Sequence, residues 1–286
     1  MIGHRGFCQA APENTLPSFA LAVGAGADLV ELDVHQSKDG EWVVIHDALL
    51  DRTTDAVRRW DARRVRVADK SAAEIRALDA GEWFDLKFAG TRVPLLLEVI
   101  EGLPKHIVPL IEQKGGHGPD LIKFLDEHRL MNRVIVQSFN WEFLTKFHKQ
   151  HRRQTLAALG PGRRLPNGKR PLGISRKLNR AWLDQAQKTG ARIVVWSRKL
   201  SKGTIRLAHA RGMRVWVYTV NDVRLARRLL RAGADGLITD NPLLIQKAVA
   251  DGSPRLWPRR FPLQRIRGLL TTAVAPRLWL RKKPKG

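Results

Sequence analysis

Two carboxylates stand two residues apart inside an apolar run near the start of the chain. Glu31 and Asp33 alternate with apolar side chains between Ala27 and Val34, a pattern that predicts a buried strand. Residues two apart on a strand point to the same face of a sheet. Buried carboxylates on one face repel each other and lose their hydration, so they persist where a cation holds them. The pair therefore indicates a metal site or an acid/base site.

Other residues of the right chemical type accompany this pair. Glu112 ends a later apolar run and adds a third carboxylate. Three carboxylates with room for water are a suitable ligand set for one hard divalent cation, Mg²⁺ or Ca²⁺. A structural zinc site is less expected, because the chain has only one cysteine. His4 and His46 would flank the metal, one as general base and the other as general acid. Arg5 and Lys114 are placed to neutralise a phosphate.

A short turn is expected to bring His46 to the carboxylates. Only the segment 34–41 separates the strand of Asp33 from the next apolar run. A parallel crossover needs about a dozen residues or more, so the run Trp42–His46 is predicted to fold back antiparallel. With the turn at 38–40, His46 lies beside Asp33.

Strand-like runs alternate with helical patterns along the chain, which indicates a parallel sheet. Without the return strand, eight candidates remain: Ile2–His4, Leu29–Asp33, Ile107–Glu112, Val134–Ser138, Thr155–Ala158, Ile193–Trp196, Val215–Thr219 and Gly236–Thr239. Eight such strands predict an α/β fold of the (β/α)8 TIM barrel type, whose functional residues sit at the carboxyl ends of strands. His4, the carboxylate pair and Glu112 fall at or near such ends.

The segment 48–105 is too long for a loop and is interpreted as an insertion after the hairpin. Ser71 with Glu74 forms a capping-box pattern that predicts a short helix. Pro94 is predicted to be the first residue of a second short helix, because proline suits that position.

The formal net charge of +24 is unevenly spread along the chain, and the distribution of basic residues indicates where one region ends and the next begins. The barrel is predicted to occupy residues 1–251, and a separate basic tail residues 252–286. That tail has ten Lys or Arg and no acidic residue, and the segment 143–183 has eleven and none. Basic patches attract nucleic acid, anionic lipid or phosphorylated substrates, and charge alone does not choose among them.

Two basic segments suggest contact with a membrane. The loop 161–171 follows a strand and is predicted to emerge on the catalytic face. It is interpreted either as a positive lip that draws anionic substrate or membrane toward the barrel mouth or as a solvated, mobile loop. The tail interleaves aromatic and arginine residues around an amphipathic pattern, which suggests a peripheral anchor on anionic lipid. A disordered basic tail and a nucleic-acid contact remain open for this segment, although nucleic acid is not expected as a partner of the protein.

The expected compartment follows from the cysteine count and from the motif positions. Cys8 is the single cysteine, which excludes an internal disulfide framework and suits a reducing environment. The motifs begin at His4 and leave no room for a cleavable leader. No apolar run reaches about 18 residues. We therefore expect a cytoplasmic location, at the inner face of the membrane if the tail binds lipid.

Nine sequence elements, in order from residue 2 to about 250, resemble the glycerophosphodiester phosphodiesterase family. They are His4-Arg5-Gly6, Pro12-Glu13-Asn14-Thr15, Glu31-Leu32-Asp33-Val34, Asp39-Gly40 with Val43–Asp47, Leu50-Asp51-Arg52-Thr53-Thr54, Val93-Pro94-Leu95, Glu112 with Lys114, Gln137-Ser138-Phe139, and Tyr218–Asn221 with Gly233–Gly236 and Thr239-Asp240. The resemblance implies a barrel of the phospholipase C-like phosphodiesterase type. It also implies metal-dependent hydrolysis of small glycerophosphodiesters to glycerol 3-phosphate and an alcohol.

The resemblance also implies a role for each matching residue. The metal ligands of the family correspond to Glu31, Asp33 and Glu112. The acid/base pair corresponds to His4 and His46, and the phosphate contacts to Arg5 and Lys114. Glu13 matches a carboxylate at the metal or in contact with its ligands.

Two alternatives to this function remain. The first is a lysophospholipase D that acts on membrane lysolipids, which the basic loop and tail favour. The second belongs to a different class, a membrane- or nucleic-acid-binding protein on an inactive barrel. The complete set of candidate catalytic residues argues against the second alternative.

Overall fold

The computed structural model describes residues 1–171 and 175–250. Within those ranges, no helix has both the length and the hydropathy that a bilayer crossing requires. The predicted basic tail, residues 252–286, lies outside the described residues, so its anchor function stays a prediction.

One sheet contains all nine named strands of the described part of the chain. They are β1 (Ile2–Gly3), β2 (Leu29–Gln36), β3 (Trp42–Val44), β4 (Val108–Gln113), β5 (Ile135–Ser138), β6 (Leu156–Leu159), β7 (Ile193–Ser197), β8 (Arg214–Tyr218) and β9 (Gly236–Thr239). Strands β4 to β9 pair parallel in sequence order, β2 pairs with β4, and β1 pairs with both β2 and β9. Eight strands therefore close into a barrel, and the predicted TIM barrel is confirmed.

Helices connect the strands. In chain order they are α1 (Leu16–Gly24), α2 (Ala56–Trp60), α3 (Ala72–Arg76), α4 (Leu96–Gly102), α5 (Gly118–Glu127), α6 (Trp141–Gln150), α7 (Arg180–Lys188), α8 (Lys202–His209), α9 (Val223–Ala232) and α10 (Pro242–Ala250). Several begin after a polar residue whose side chain accepts a backbone N–H three residues on, namely Asn140, Asn179, Ser201 and Asp222. Such caps satisfy donors that the first turn leaves unpaired and set where each helix starts.

The hairpin after β2 folds as the short turn predicts. Strand β3 pairs antiparallel with β2, with Val44 opposite Val34. Beyond the end of β3, the Ile45 N–H donates to the Asp33 carbonyl oxygen at 3.0 Å. This pairing brings the following residue, His46, to the carboxyl end of the barrel beside Asp33.

The insertion between β3 and β4 contains one confirmed helix start. The Ser71 hydroxyl accepts the Glu74 N–H at 3.3 Å, and the Glu74 carboxylate accepts the Ser71 N–H at 2.8 Å. This capping box opens α3 as predicted.

The predicted start of the next helix at Pro94 is wrong, because α4 begins at Leu96. The Pro94 carbonyl accepts the Val44 N–H at 2.9 Å, and Leu95 forms an antiparallel bridge with Val43. Pairing with the edge of β3 keeps this backbone extended, so the helix begins only after it. The same contact joins the insertion to the hairpin that carries His46.

Candidate active site

The carboxyl ends of β2 and β4 bring three acidic side chains together. Asp33 is the register partner of Glu112, and Glu31 lies two residues earlier on β2. One oxygen from each of the three carboxylates lies within 4.8 Å of the other two, and all three side chains are buried. Oxygen donors at this spacing are the ligand set that Mg²⁺ and Ca²⁺ prefer.

Hydrogen bonds orient the two carboxylates of β2. Glu31 accepts the backbone N–H of Arg5 at 2.9 Å and the side-chain amide of Gln137 at 3.3 Å. Asp33 accepts the side-chain amide of Asn14 at 2.9 Å, while the Asn14 oxygen accepts the Asp33 N–H at 3.1 Å. Both carboxylates are thereby held with defined orientations before any ligand binds.

The loop after β1 adopts unusual backbone angles to make these contacts. Arg5 and Asn14 have φ values of +51° and +58°. Between them, Gly6 has φ +87°, and a Cβ atom at Gly6 would lie 2.4 Å from the Ser18 hydroxyl oxygen. A left-handed conformation costs a non-glycine residue about 1–3 kcal/mol and concentrates at functional sites. Here it directs the Arg5 N–H and the Asn14 amide toward the carboxylates.

Two basic side chains contact the carboxylate cluster. Lys114 Nζ lies 2.8 Å from Glu112 Oε1 and 3.4 Å from Asp33 Oδ1. Arg5 Nε lies 3.3 Å from Asp33 Oδ2, but without hydrogen-bond geometry. Both predicted phosphate-binding residues thus lie beside the predicted metal ligands.

Two of the three carboxyl groups resist ionisation. Burial and the charge of Asp33 raise the pKa of Glu31 to about 7 and that of Glu112 to about 8. Burial also disfavours the Asp33 carboxylate, but the charges of Lys114 and Arg5 outweigh it and lower the pKa of Asp33. The charges of Lys114 and Arg5 therefore stabilise the ionised form of Asp33 more than the ionised forms of Glu31 and Glu112.

His4 lies at the carboxyl end of β1 and binds the aspartate that follows β9. Its Nδ1 lies 2.5 Å from Asp240 Oδ1, and its backbone N–H donates to the Thr239 carbonyl at 2.8 Å. The other oxygen of Asp240 accepts the Asn221 amide. Burial lowers the pKa of His4, but the hydrogen bond that His4 donates to Asp240 and the charge of Glu31 outweigh it and leave the pKa raised.

His46 binds a carboxylate in the same way. Its Nδ1 lies 2.5 Å from Asp47 Oδ1. Burial lowers the pKa of His46, and the charges of Arg5 and Lys114 add to that effect against the opposing charge of Asp33. Because a carboxylate accepts from Nδ1 of both histidines, Nε2 is the nitrogen left to exchange a proton with a substrate.

Arg52, in the insertion, connects Asp47, the partner of His46, to Glu13. Its Nε donates to Asp47 at 2.6 Å, and its two terminal nitrogens donate to Glu13 at 3.0 and 2.7 Å. Glu13 also accepts from Arg5 at 2.9 Å. Glu13 therefore lies between the guanidinium groups of Arg5 and Arg52, and its role at or near a metal stays a prediction.

The sequence alone assigned no role to Asp47, Arg52 and Asp240, although each stands in a motif that matches the family. Asp47 directly follows His46, and Asp240 directly follows the last predicted strand. An acidic residue beside a histidine or at a strand end is a signal that could have identified both. The contact of Arg52 depends on how the insertion folds, so no local pattern indicates it.

The basic loop 161–171 lies at the same end of the barrel as the site. The backbone N–H groups of Arg163 and Arg164 donate to the Phe139 carbonyl at 2.7 and 3.3 Å. The Arg163 guanidinium lies 4.9 Å from the centre of the Phe139 ring. Because Phe139 directly follows β5, these contacts fix the loop near the barrel mouth, where the sequence predicted it.

The family model of the glycerophosphoryl diester phosphodiesterase family matches residues 4–244 of the chain. The glycerophosphodiester phosphodiesterase of Caldanaerobacter subterraneus subsp. tengcongensis is 32% identical over 259 residues, which cover 88% of this chain and 98% of the relative. A glycerophosphodiester phosphodiesterase of Bacillus subtilis is 30% identical over 265 residues, covering 86% and 85% of the two chains.

Solved structures of similar proteins share the fold. A phosphodiesterase from Oleispira antarctica, solved with the product sn-glycerol-3-phosphate, superposes with a TM-score of 0.74 at 27% identity, over 87% of this chain and 96% of its own. A glycerophosphodiester phosphodiesterase from Agrobacterium tumefaciens gives a TM-score of 0.70 at 27% identity, over 86% and 98% of the chains.

Proposed function

The chain belongs to the glycerophosphoryl diester phosphodiesterase family and is an enzyme of that class, and we propose that it uses one divalent cation and two histidines. Its substrate in this proposal is a small glycerophosphodiester, which it hydrolyses to glycerol 3-phosphate and an alcohol. The observation that carries the proposal is the buried carboxylate cluster with a carboxylate-bound histidine on each side.

The donor set of the cluster fits a hard divalent cation. Glu31, Asp33 and Glu112 would hold it through oxygen atoms that already lie within 4.8 Å of one another. The raised pKa values of Glu31 and Glu112 indicate that these buried groups lack enough positive charge to ionise fully at neutral pH. A bound cation would polarise a phosphate and offset its negative charge.

The basic side chains and histidines of the chain supply the remaining chemistry. Arg5 and Lys114 neutralise the phosphate and orient it. His46, with its lowered pKa, is neutral and takes a proton from the water that attacks the phosphorus. His4, with its raised pKa, holds a proton at Nε2 and donates it to the leaving alcohol.

A substrate panel with histidine variants tests this function. We expect turnover of soluble glycerophosphodiesters with Mg²⁺ or Ca²⁺, and His46→Ala should lower kcat by about 10²- to 10⁴-fold, the usual contribution of general acid/base catalysis. His209→Ala is the matched control, because His209 pairs with Asp235 on the surface and its side chain is 39% exposed. Equal activity of the two variants would exclude the assigned role of His46.

A second candidate substrate is a membrane lysolipid. The basic loop 161–171 supports this substrate, since its backbone and the guanidinium of Arg163 contact Phe139, which directly follows β5. Replacing Arg163, Arg164, Lys169 and Arg170 by glutamine should lower activity on lysolipid vesicles more than on soluble diesters. Equal loss on both substrates, or no loss on either, would remove the support for lysolipids.

A further inference from the structure

A second group of possible metal ligands surrounds His4, apart from the three-carboxylate cluster. Cys8 Sγ lies 3.1 Å from Asp240 Oδ1, and His4 Nδ1 lies 2.5 Å from the same oxygen. One ligand atom from each residue lies within 4.8 Å of the other two, and all three residues are partly exposed. A sulfur, a nitrogen and an oxygen donor thus converge at a place that solvent can reach.

We propose that His4, Cys8 and Asp240 form an inhibitory site for a thiophilic divalent cation, Zn²⁺ in particular. Protein ligands bind Zn²⁺ at about 2.0–2.3 Å, so two ligand atoms of one ion lie at most about 4.6 Å apart. Around one tetrahedral ion such atoms lie about 3.3–3.6 Å apart. His4 Nδ1 and Cys8 Sγ, now 2.5 and 3.1 Å from Asp240 Oδ1, must therefore each move away from that oxygen by less than about 1 Å. A thiolate, a carboxylate and a neutral imidazole carry two negative charges, which match the charge of the ion and leave a fourth position for water.

The sulfur donor of Cys8 makes the site selective for thiophilic metals, which bind a thiolate strongly enough to displace its proton. Burial and the charge of Asp240 raise the pKa of the Cys8 thiol, whereas Arg5 opposes them only weakly. The charge of Glu13 acts in the same direction as that of Asp240. The thiol therefore keeps its proton until a cation with a strong preference for sulfur displaces it to solvent. Mg²⁺ and Ca²⁺ lack that preference.

The fold places these ligands independently of the three-carboxylate cluster. Cys8 belongs to the loop between β1 and α1, and the neighbouring Gln9 N–H donates to the Asp240 carbonyl at 3.1 Å. Asn221 holds the second carboxylate oxygen of Asp240. The backbone contact and the amide contact keep Asp240 beside both other ligands.

Binding at this site should inhibit the enzyme through His4, a consequence that rests on the proposed function. A metal ion bound to His4 Nδ1 would coordinate through the lone pair that now binds the Nδ1 proton. The hydrogen bond from Nδ1 to Asp240 would then be lost. The imidazole then keeps its Nε2 proton at neutral pH and no longer cycles between acid and base. Binding itself does not depend on the assigned role of His4.

Cobalt and zinc titrations with saturating Mg²⁺ test the binding, with Cys8→Ser as the matched variant. Serine keeps a donor to Asp240 but offers no soft ligand. We expect Co²⁺ to produce a thiolate-to-metal charge-transfer band in the native protein and none in Cys8→Ser, and Zn²⁺ to remove that band. Absence of the band in the native protein would overturn the site, whether or not the protein is active.

Activity measurements test the inhibition separately. Zn²⁺ should inhibit the native enzyme, and Cys8→Ser should raise the half-inhibiting concentration by about 10- to 100-fold while keeping the activity without zinc. Equal inhibition of both proteins would overturn the inhibitory role of the site and place the zinc effect elsewhere. Failure of the proposed function would instead appear as no turnover without zinc, with the cobalt band still present.

Discussion

At the scale of single residues, His4 and His46 have the same kind of partner, but their pKa values are shifted in opposite directions. Each binds an aspartate through Nδ1, Asp240 for His4 and Asp47 for His46. The pKa of His4 is raised by its hydrogen bond to Asp240 and by the charge of Glu31, whereas partial burial and the charges of Arg5 and Lys114 lower the pKa of His46. Two histidines with different surroundings can serve as acid and base at one pH.

Removing either aspartate should shift one side of the pH–activity profile. The negative charge of an aspartate raises the pKa of its histidine, so its loss lowers that pKa. We expect Asp240→Asn to move the alkaline limb of kcat to lower pH and Asp47→Asn to move the acidic limb to lower pH. Both should also lower kcat by about 10-fold or more, since the ring loses its orientation. Parallel shifts of both limbs in either variant would contradict the separate assignment of acid and base.

The carboxylate cluster should make cation binding dependent on pH. The folded pKa values of Glu31 and Glu112 lie above the ordinary value of 4.5. Between that value and about pH 8 the folded state binds more protons than the unfolded state, so stability without a cation falls as the pH rises. A cation needs the ionised groups, and it should therefore stabilise the protein more at high pH.

Thermal unfolding measures this linkage directly. We expect saturating Mg²⁺ or Ca²⁺ to raise Tm by several degrees at about pH 8.5 and by little at about pH 5, since a stabilisation of about 1 kcal/mol corresponds to about 2–4 °C in a chain of this size. Glu112→Gln should remove most of the difference. The same gain in Tm at both pH values would show that the cation binds elsewhere.

At the scale of elements, the insertion does more than fill the connection between β3 and β4. Its apolar residues share a buried cluster with the hairpin, in which Ile75 and Leu78 pack with Val43 and Ile45. Arg52 extends from the same insertion to the polar residues around the site. The insertion thereby supports the position of His46 from both the core and the mouth.

Replacement of Arg52 by lysine should show whether Arg52 positions Asp47 and Glu13 for catalysis or only stabilises the fold. Lysine keeps the charge but cannot form the three directed contacts of the guanidinium with Asp47 and Glu13. We expect kcat to fall by about 10-fold and the free energy of unfolding by less than about 1 kcal/mol, since Arg52 is about half exposed. Arg58→Lys is the control, because Arg58 bridges Glu82 on the surface of the same insertion. Equal kinetics of the two variants would assign Arg52 no positioning role.

At the scale of the whole molecule, the net charge of +24 should attract anionic diesters. Raising the salt concentration from about 0.02 M to about 0.5 M shortens the Debye length from about 20 Å to about 4 Å. We expect kcat/KM to fall by about 10-fold over that range and kcat to change little, because screening weakens the attraction and not the chemistry. The same fall with an uncharged substrate analogue would indicate a general salt effect on the enzyme.

The assignment of residues 1–251 to the barrel and 252–286 to a tail remains a prediction, as does the membrane anchor. Truncation before Pro254 should lower co-sedimentation with anionic vesicles and leave activity on soluble diesters unchanged. Identical vesicle binding of the truncated and full-length chains would exclude the anchor.

Local patterns were sufficient for most of the fold. The apolar runs identified all eight barrel strands to within a few residues, and the short segment after Asp33 indicated the antiparallel return strand. Helix ends were predicted well where a capping side chain sets them, as at Ser71. The start at Pro94 failed because pairing with β3, a long-range contact, outweighs the local preference of proline.

The sequence by itself determined the fold class and the types of residue that meet at the barrel mouth, because strand period and strand ends are local properties of the chain. Only the tertiary structure decided which groups touch. The Asp240 partner of His4, the contacts of Arg52 with Glu13 and the grouping of Cys8 with Asp240 join residues from 39 to 236 positions apart. Distances of that kind depend on how separate loops pack over the closed barrel, and no local pattern encodes them.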